Sequence, residues 1–534
     1  MKPAMFYKKR IDLLVIFSLA FGISKVVMPR HVFSYSSIPN DTNINSQWAI
    51  QKVGLDSAWN IFTGSSSTKV GIIDSGIDAN HEDLSTNVNS ALAHYFGNDN
   101  LNPLQDGEGH GTHVSGIIGA KGNNNLGVSG ACWDANLVPL SIATNNFGEV
   151  YIPGIADAIQ YSSSSNSSIS LLNSSLGIAF SSISSHGYNA LGVIGDFNTN
   201  MGSYDGLLIC AAGNGQNLNS NDPFGKNIDS FSNYIFPASY SKPNMIVVGN
   251  SKSDDYKAVT SNYGSSKVDL FAPGEAILST IPNNNYATFS GTSMAAPLVT
   301  GTAALLKSID PTLTSAQIKA AILNNVDTVS ALSGLCSTGG RLNAYKAALS
   351  ILEEIEADGD PVSFVSNINY QKFMKINCVP GHYTLSIESA CPCKVIIYQN
   401  YNGIPLGQVT LTDPGFDTIS FLSSTNQIVF VRVENLGTTN ENIELTLSYQ
   451  NHLYINHYQY FSPSYHRAYC ACGAFVLMPH IVYGHLPDDI TGVCALCSVI
   501  VPINAGNNVL LDTKKVENSI SFYSLLDKTI IQCY

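Results

Sequence analysis

Charge is scarce in this chain. Asp, Glu, Lys and Arg together make up 12% of the 534 residues, and Asn, Ser and Thr carry most of the polar surface. Basic residues are the scarcer sign, 26 against 39 acidic, which leaves a net charge of −13. That balance argues against nucleic acid or an anionic membrane as a partner and serves solubility instead. Long hydrophobic runs are also missing. The apolar run Leu13 to Ile23 follows Lys8-Lys9-Arg10 and is too short to cross a bilayer. Residues 1–24 therefore read as a signal peptide, despite Asp12, with cleavage at Ala20-Phe21-Gly22 or Gly22-Ile23-Ser24. An uncleaved N-terminal segment is the one membrane contact expected, and a secreted or cell-surface monomer follows. The length is too great for one ordinary domain and predicts two or three.

What is present converges on one serine. Phe289-Ser290-Gly291-Thr292-Ser293-Met294-Ala295-Ala296-Pro297 runs from a tight turn into a small-residue apolar stretch, Leu298 to Leu306, that reads as a buried helix. A serine there lies where free N–H groups and the positive dipole end favour a developing anion. Alone it would be read as a helix cap. Two earlier stretches supply what a nucleophile needs, a histidine to take its proton and a carboxylate to hold that histidine. Val70-Gly71-Ile72-Ile73-Asp74-Ser75-Gly76 places Asp74 at the carboxyl end of a buried strand, where open α/β sheets build their sites. Gly109-His110-Gly111-Thr112-His113-Val114-Ser115-Gly116 places His110 at the start of a close-packing helix. Ile209-Cys210-Ala211-Ala212-Gly213-Asn214 ends another strand with a side-chain amide, a candidate oxyanion donor.

These four motifs, in this order, resemble the subtilisin family of serine proteases over about residues 47–352. The chain order Asp, His, Ser excludes the chymotrypsin and α/β-hydrolase arrangements. The alternation of buried strands (Val70–Ile73, Asn136–Ser141, Ile169–Asn173, Gly206–Ala211, Met245–Gly249) with helical patterns predicts an α/β fold, a parallel sheet with helices on both faces. The resemblance implies an exported endopeptidase acting on protein or peptide substrates through Asp74, His110 and Ser293. A neutral His110 is needed as base, so activity is expected to fall on acidification through about 6.5. The resemblance further implies a substrate-binding edge at Ser175, Leu176 and Gly177, to which an extended peptide adds a strand. No acidic residue flanks Ser175–Gly177 or Ala212–Asn214, which favours neutral or apolar side chains before the cut. It also implies a calcium loop, with ligands from the Asn124 side chain, the carbonyls of Gly122, Leu126 and Val128, and the carboxylates of Asp83 and Asp41. Secreted members usually carry a folding prodomain, and residues 25–46 are too few for one, so they are expected as a short linker. The alternative to an active enzyme is a surface binding protein on an inactive protease scaffold; the complete set of four motifs weighs against it.

The remainder falls outside the resemblance. Residues 353–361 are acidic and read as a linker. Short alternating runs from 362 to 455 predict an all-β, sandwich-like module. Residues 456–534 form a Cys/His-rich module. There Cys470-Ala-Cys472 and Cys494-Ala-Leu-Cys497 are two close pairs about twenty residues apart, as in a zinc ribbon except that the first pair has one intervening residue instead of two, so zinc is expected, with disulfides or plain buried thiols as the alternatives.

Overall fold

The buried runs read as strands form the middle of one sheet in the computed structural model of the chain. It describes residues 38–97, 101–144, 149–184, 187–215, 224–369 and 371–450, and the backbone of five further strands between 457 and 533. The signal peptide expected over 1–24 and the cysteines 470, 472, 494 and 497 lie outside the described residues.

In chain order the sheet strands are β1 (Lys69–Asp74), β2 (His94–Tyr95), β3 (Asn136–Ser141), β4 (Leu171–Ser174), β5 (Leu207–Ala211), β6 (Met245–Ser251), β7 (Leu270–Pro273), β8 (Asp327–Thr328) and β9 (Gly340–Arg341). Their spatial order is β8-β9-β7-β6-β5-β4-β1-β3-β2. Every pairing is parallel except β8 with β9. β4 and β5 are buried along their whole length, because helices cover both faces and leave no polar side to alternate with. One face packs against the helices His110–Gly119 and Thr292–Ile309, the other against Gly154–Ser162 and Ala190–Ser203. Parallel strands end on the same side of a sheet, so the carboxyl ends of β1, β4 and β5 bring Asp74, Ser175 and Asn214 to one edge.

The second part is a pair of antiparallel sheets with a core of its own, including Met374, Tyr383, Leu385, Val395, Val431 and Leu445. One sheet orders Glu353–Glu354, Lys372–Cys378, Gln427–Asn435, Cys393–Tyr398 and Gly407–Leu411. The other orders Val362–Ser366, Glu441–Gln450, Gly381–Ser389 and Gly415–Ser423. Within the stretch read as an acidic linker, Glu353–Glu354 is thus an edge strand paired in parallel with Lys372–Cys378, between the buried Leu352 and Ile355.

This sandwich shares one compact unit with the α/β domain, spanning Ser34–Tyr449. The Phe62 ring packs tilted against Phe373 at 4.8 Å and edge-on against Tyr401 at 5.0 Å. The Tyr398 hydroxyl donates to the Ile61 carbonyl at 2.8 Å. Beyond that unit, three antiparallel strands (His457–Ser462, Tyr465–Tyr469, Phe475–Pro479) and a pair (Ile520–Tyr523, Ile530–Cys533) are described by themselves. Among the described residues no helix is long and apolar enough to cross a membrane.

Candidate active site

Asp74 is the last residue of β1 and its side chain is 1% exposed. Its Oδ1 accepts from the Ser75 N–H at 2.8 Å and lies 2.7 Å from His110 Nδ1. A proton on Nδ1 is thereby fixed, which leaves Nε2 as the basic nitrogen. His110 is the first residue of its helix. That helix sits hard against the end of β1 because position 111 has no side chain; a Cβ on Gly111 would lie 2.1 Å from the Gly76 carbonyl.

Two histidines one turn apart show what the site does to a proton. Burial works against the charged form of His110, but Asp74, at charge and hydrogen-bond distance, and then Glu108 and Asp106 raise its pKa to about 9. His113 is buried without a carboxylate beside it. It stacks on Phe289 at 4.3 Å, places Nε2 at 3.0 Å from the Ala287 carbonyl, and is pushed by burial down to about 4.

Ser293 lies in the first turn of the helix Thr292–Ile309. Pro297 within that helix has no N–H to give to the carbonyl four residues back, which is that of Ser293. The freed Ser293 carbonyl accepts from the Ser175 hydroxyl at 2.9 Å, and the Ser293 hydroxyl donates to the Ser175 carbonyl at 2.9 Å. The proline of the motif and the serine after β4 therefore form one lock. The structure brings Ser293 to Ser175, and Asp74 to His110; the Ser293 hydroxyl is turned to Ser175 and not to the imidazole.

Asn214 Oδ1 accepts from the Thr292 N–H at 3.2 Å, which orients the amide towards the start of the Ser293 helix. Gly291 has φ +154° and ψ 169°, a conformation that suits glycine. A Cβ there would lie 3.4 Å from Asn214 Nδ2 and 3.8 Å from the Ser293 nitrogen. The missing side chain leaves open the space beside both candidate oxyanion donors. Ser175 is buried, while Leu176 and Gly177 are half-buried, between the end of β4 and a short strand, Ile178–Ala179.

One residue of the site escaped the sequence reading. Asp106 is buried and its Oδ1 accepts from the Ser75 hydroxyl at 2.9 Å and from Gly109 N–H at 2.8 Å. Its Oδ2 accepts from both the N–H and the hydroxyl of Thr112, at 2.8 and 2.7 Å. Ser75 in turn accepts from Gly111 N–H at 2.9 Å. Asp106 thus caps the His110 helix and ties its start to the residue beside Asp74. The signal was an aspartate a few residues ahead of a helix whose own N-cap, Gly109, has no side chain.

The loop read as a cation site holds two buried carboxylates. Asp41 accepts from the N–H groups of Asn123 and Asn124, each at 2.9 Å, and from the Ser129 hydroxyl. Asp83 accepts from Asn124 Nδ2 at 2.9 Å, Val128 N–H at 2.8 Å and the Tyr286 hydroxyl at 3.0 Å. Asn124 Oδ1 accepts from Leu126 N–H, and Gly122 packs under the Trp133 ring. Among the described residues neither carboxylate has a lysine or arginine partner. Among them no group of three or more His, Cys, Asp or Glu is placed to hold a metal ion, so a cation here would draw mainly on carbonyl oxygens.

The sequence profile of the subtilase family matches residues 65–345, a span that contains Asp74, His110, Asn214 and Ser293. Thermitase of Thermoactinomyces vulgaris is 35% identical over 310 residues, covering 58% of this chain and 98% of that protein. A thermophilic serine proteinase of Bacillus sp. strain AK1 is 35% identical over 320 residues, covering 60% of this chain and 71% of that protein. Among solved structures, a protease of Pseudoalteromonas arctica has a TM-score of 0.48 at 25% identity, covering 59% of this chain and 99% of that one.

Proposed function

We propose, from the premise that this chain belongs to the subtilase family and is a subtilisin-like serine endopeptidase, that Asp74, His110 and Ser293 are its catalytic triad and Asn214 its oxyanion donor. The observation that carries this is the 2.7 Å contact of His110 Nδ1 with a buried Asp74, on a sheet edge shared with Ser293 and Asn214. The Ser293 hydroxyl swings from the Ser175 carbonyl to His110 Nε2, gives up its proton there and attacks the scissile carbonyl. Charge on the carbonyl oxygen is met by Asn214 Nδ2 and the Ser293 N–H, held in place before the reaction begins. His110 then protonates the leaving amine, and water releases the acyl group by the same steps in reverse. Asp74 stays ionised and holds the imidazolium. Ser175–Gly177 offers main chain to an extended protein or peptide substrate.

Calcium fits the Asp41–Asp83 loop. Two buried anions with no lysine or arginine partner among the described residues need positive charge, and burial already pushes the Asp83 carboxyl upward. Asp41, Asp83, the Asn124 side chain and the carbonyls of Gly122, Leu126 and Val128 would hold it, and the ion would supply charge balance and rigidity. The protein is an exported monomer in this reading, supported by its family and its N-terminal charge pattern. The sandwich stabilises the α/β domain through the Phe62 and Tyr398 contacts. Hydrolysis of an unstructured protein substrate by the purified chain, compared with Ser293→Ala, tests the proposal. A fall in kcat of about a million-fold in a folded variant is expected; undiminished turnover would overturn it.

A further inference from the structure

The sandwich turns one bare strand edge towards the α/β domain. Val362–Ser366 ends its sheet and pairs only with Glu441–Gln450, antiparallel and without a bulge. Alternate N–H and C=O groups along its other side therefore have no strand to meet. The usual devices that blunt such an edge are missing, since Val362-Ser363-Phe364-Val365-Ser366 carries neither charge nor proline. Val365 is 64% exposed.

A cavity of about 310 Å³ runs along that side. Both Phe364 and Val365 line it, and neighbouring strand residues point to opposite faces, so what they share is the edge of the strand. The opposite wall belongs to the α/β domain, with Ile309 and Asp310 at the end of the Ser293 helix and Leu352 beside them. A wall on each side admits one slender chain and excludes a second sheet or a flat surface. The lining suits a peptide, because amides lie among its apolar side chains. Asn367 and Asn440 use their oxygens on nearby backbone N–H groups, at 2.8 and 3.1 Å, which leaves their NH2 groups for a carbonyl. The charged groups are already answered. Lys372 pairs with Glu353 at 3.2 Å, and Asp310 accepts from the N–H and the hydroxyl of Thr312 at 2.9 and 2.6 Å. An uncharged occupant fits best.

We propose that the free side of Val362–Ser366 is a second substrate site, where an extended, uncharged stretch of a polypeptide adds to the four-stranded sheet while another stretch of the same molecule is cut at Ser293. The inference rests on the reading of the chain as an endopeptidase for extended polypeptides. From nucleophile to cavity the Ser293 helix runs sixteen residues, about 24 Å at about 1.5 Å per residue. An extended chain covers about 3.3 Å per residue, so a substrate needs more than about seven residues between the two points. Held at one point, it meets the other at a raised effective concentration, which favours long unstructured proteins over short peptides.

The test compares the full chain with Val365→Lys and Val365→Thr on casein and on a four-residue peptide p-nitroanilide. Lysine puts a charge on an exposed edge position and leaves the core intact, while threonine keeps a branched side chain there. In Val365→Lys the KM for casein is expected to rise at least about tenfold, with the KM for the short peptide unmoved. Val365→Thr should stay close to the wild type on both. A casein KM that lysine leaves unchanged, or that moves together with the peptide KM, overturns the inference. Binding of casein to Ser293→Ala protein, with and without Val365→Lys, reads the edge without catalysis. Equal binding by the two sinks the second site alone. Binding weakened by lysine, in a chain that hydrolyses neither substrate, supports the edge and sinks the triad reading beneath it.

Discussion

The active site and the loop at residues 122–129 each bury a pair of carboxylates, and they balance the charge differently. Asp74 and Asp106 meet at the Ser75 side chain, and the cation they face is the His110 imidazolium, a group that can lose its proton. Asp41 and Asp83 are 2% and 0% exposed, and the described hydrogen bonds to their carboxylates come from amides and hydroxyls. A buried anion needs a partner charge or several directed N–H groups. In the first region that partner is the proposed catalytic base, so charge balance and reactivity would be one arrangement. In the second no lysine or arginine among the described residues pairs with the carboxylates, and an ion from solution has a place.

The largest effects should fall on the first region. Ser293→Ala or His110→Ala should lower kcat by about a million-fold with the fold intact by circular dichroism, the loss that subtilisin itself shows. Asn214→Ala should cost about a hundred- to a thousandfold, again a subtilisin figure. Asp106→Ala frees the start of the His110 helix without touching any reacting atom. Misplacing the base by about 1 Å costs about a hundredfold in kcat, with KM nearly unmoved. A rise in KM with kcat preserved would show that Asp106 does not act through His110.

The second region is tested by its ion. Calcium at a hundred times its dissociation constant should add about 2.7 kcal/mol of stability, and Asp83→Asn should abolish that gain. Melting curves on Ser293→Ala protein, which cannot digest itself, give the readout. Identical curves with calcium and with chelator would erase the contrast between the two regions.

Smaller still are the shifts with pH. The His110 pKa in the folded protein lies above its ordinary 6.5, at about 9. The stabilisation from its proton is complete below 6.5 and is lost as pH rises through about 9. Activity runs the opposite way, because only the neutral ring accepts the serine proton. The acid limb of kcat/KM should therefore lie above the 6.5 expected of an unperturbed histidine. Asp74→Asn, and more weakly Glu108→Gln, should move it to lower pH. A limb that stays put in both variants would disconnect the histidine from its carboxylates.

Much of this arrangement was legible from local chemistry. A β-branched run ending in Asp-Ser-Gly, a helix opening on His-Gly-Thr-His, and Gly-Thr-Ser-Met-Ala-Ala-Pro each encode their own strand end or helix start. What escaped depends on residues distant in the chain. Asp106 acquires its place beside the Asp74–His110 pair only when Ser75 arrives beside it. Within the all-β module, Val362–Ser366 and Gly415–Ser423 are the faint strands, since each buries few apolar side chains and carries polar ones between, whereas Lys372–Cys378 buries Phe373, Met374, Ile376 and Cys378. Glu353–Glu354 was read as linker because its two charges hid an edge strand that leaves them half in solvent.

The central claim, that Ser293 is a nucleophile activated by the Asp74–His110 pair, is tested most directly by mass spectrometry of the chain after exposure to a fluorophosphonate. One adduct per chain is predicted, located on Ser293, absent from Ser293→Ala and formed far more slowly in His110→Ala. An adduct on any other residue, or labelling of Ser293 at the same rate without His110, would contradict the account.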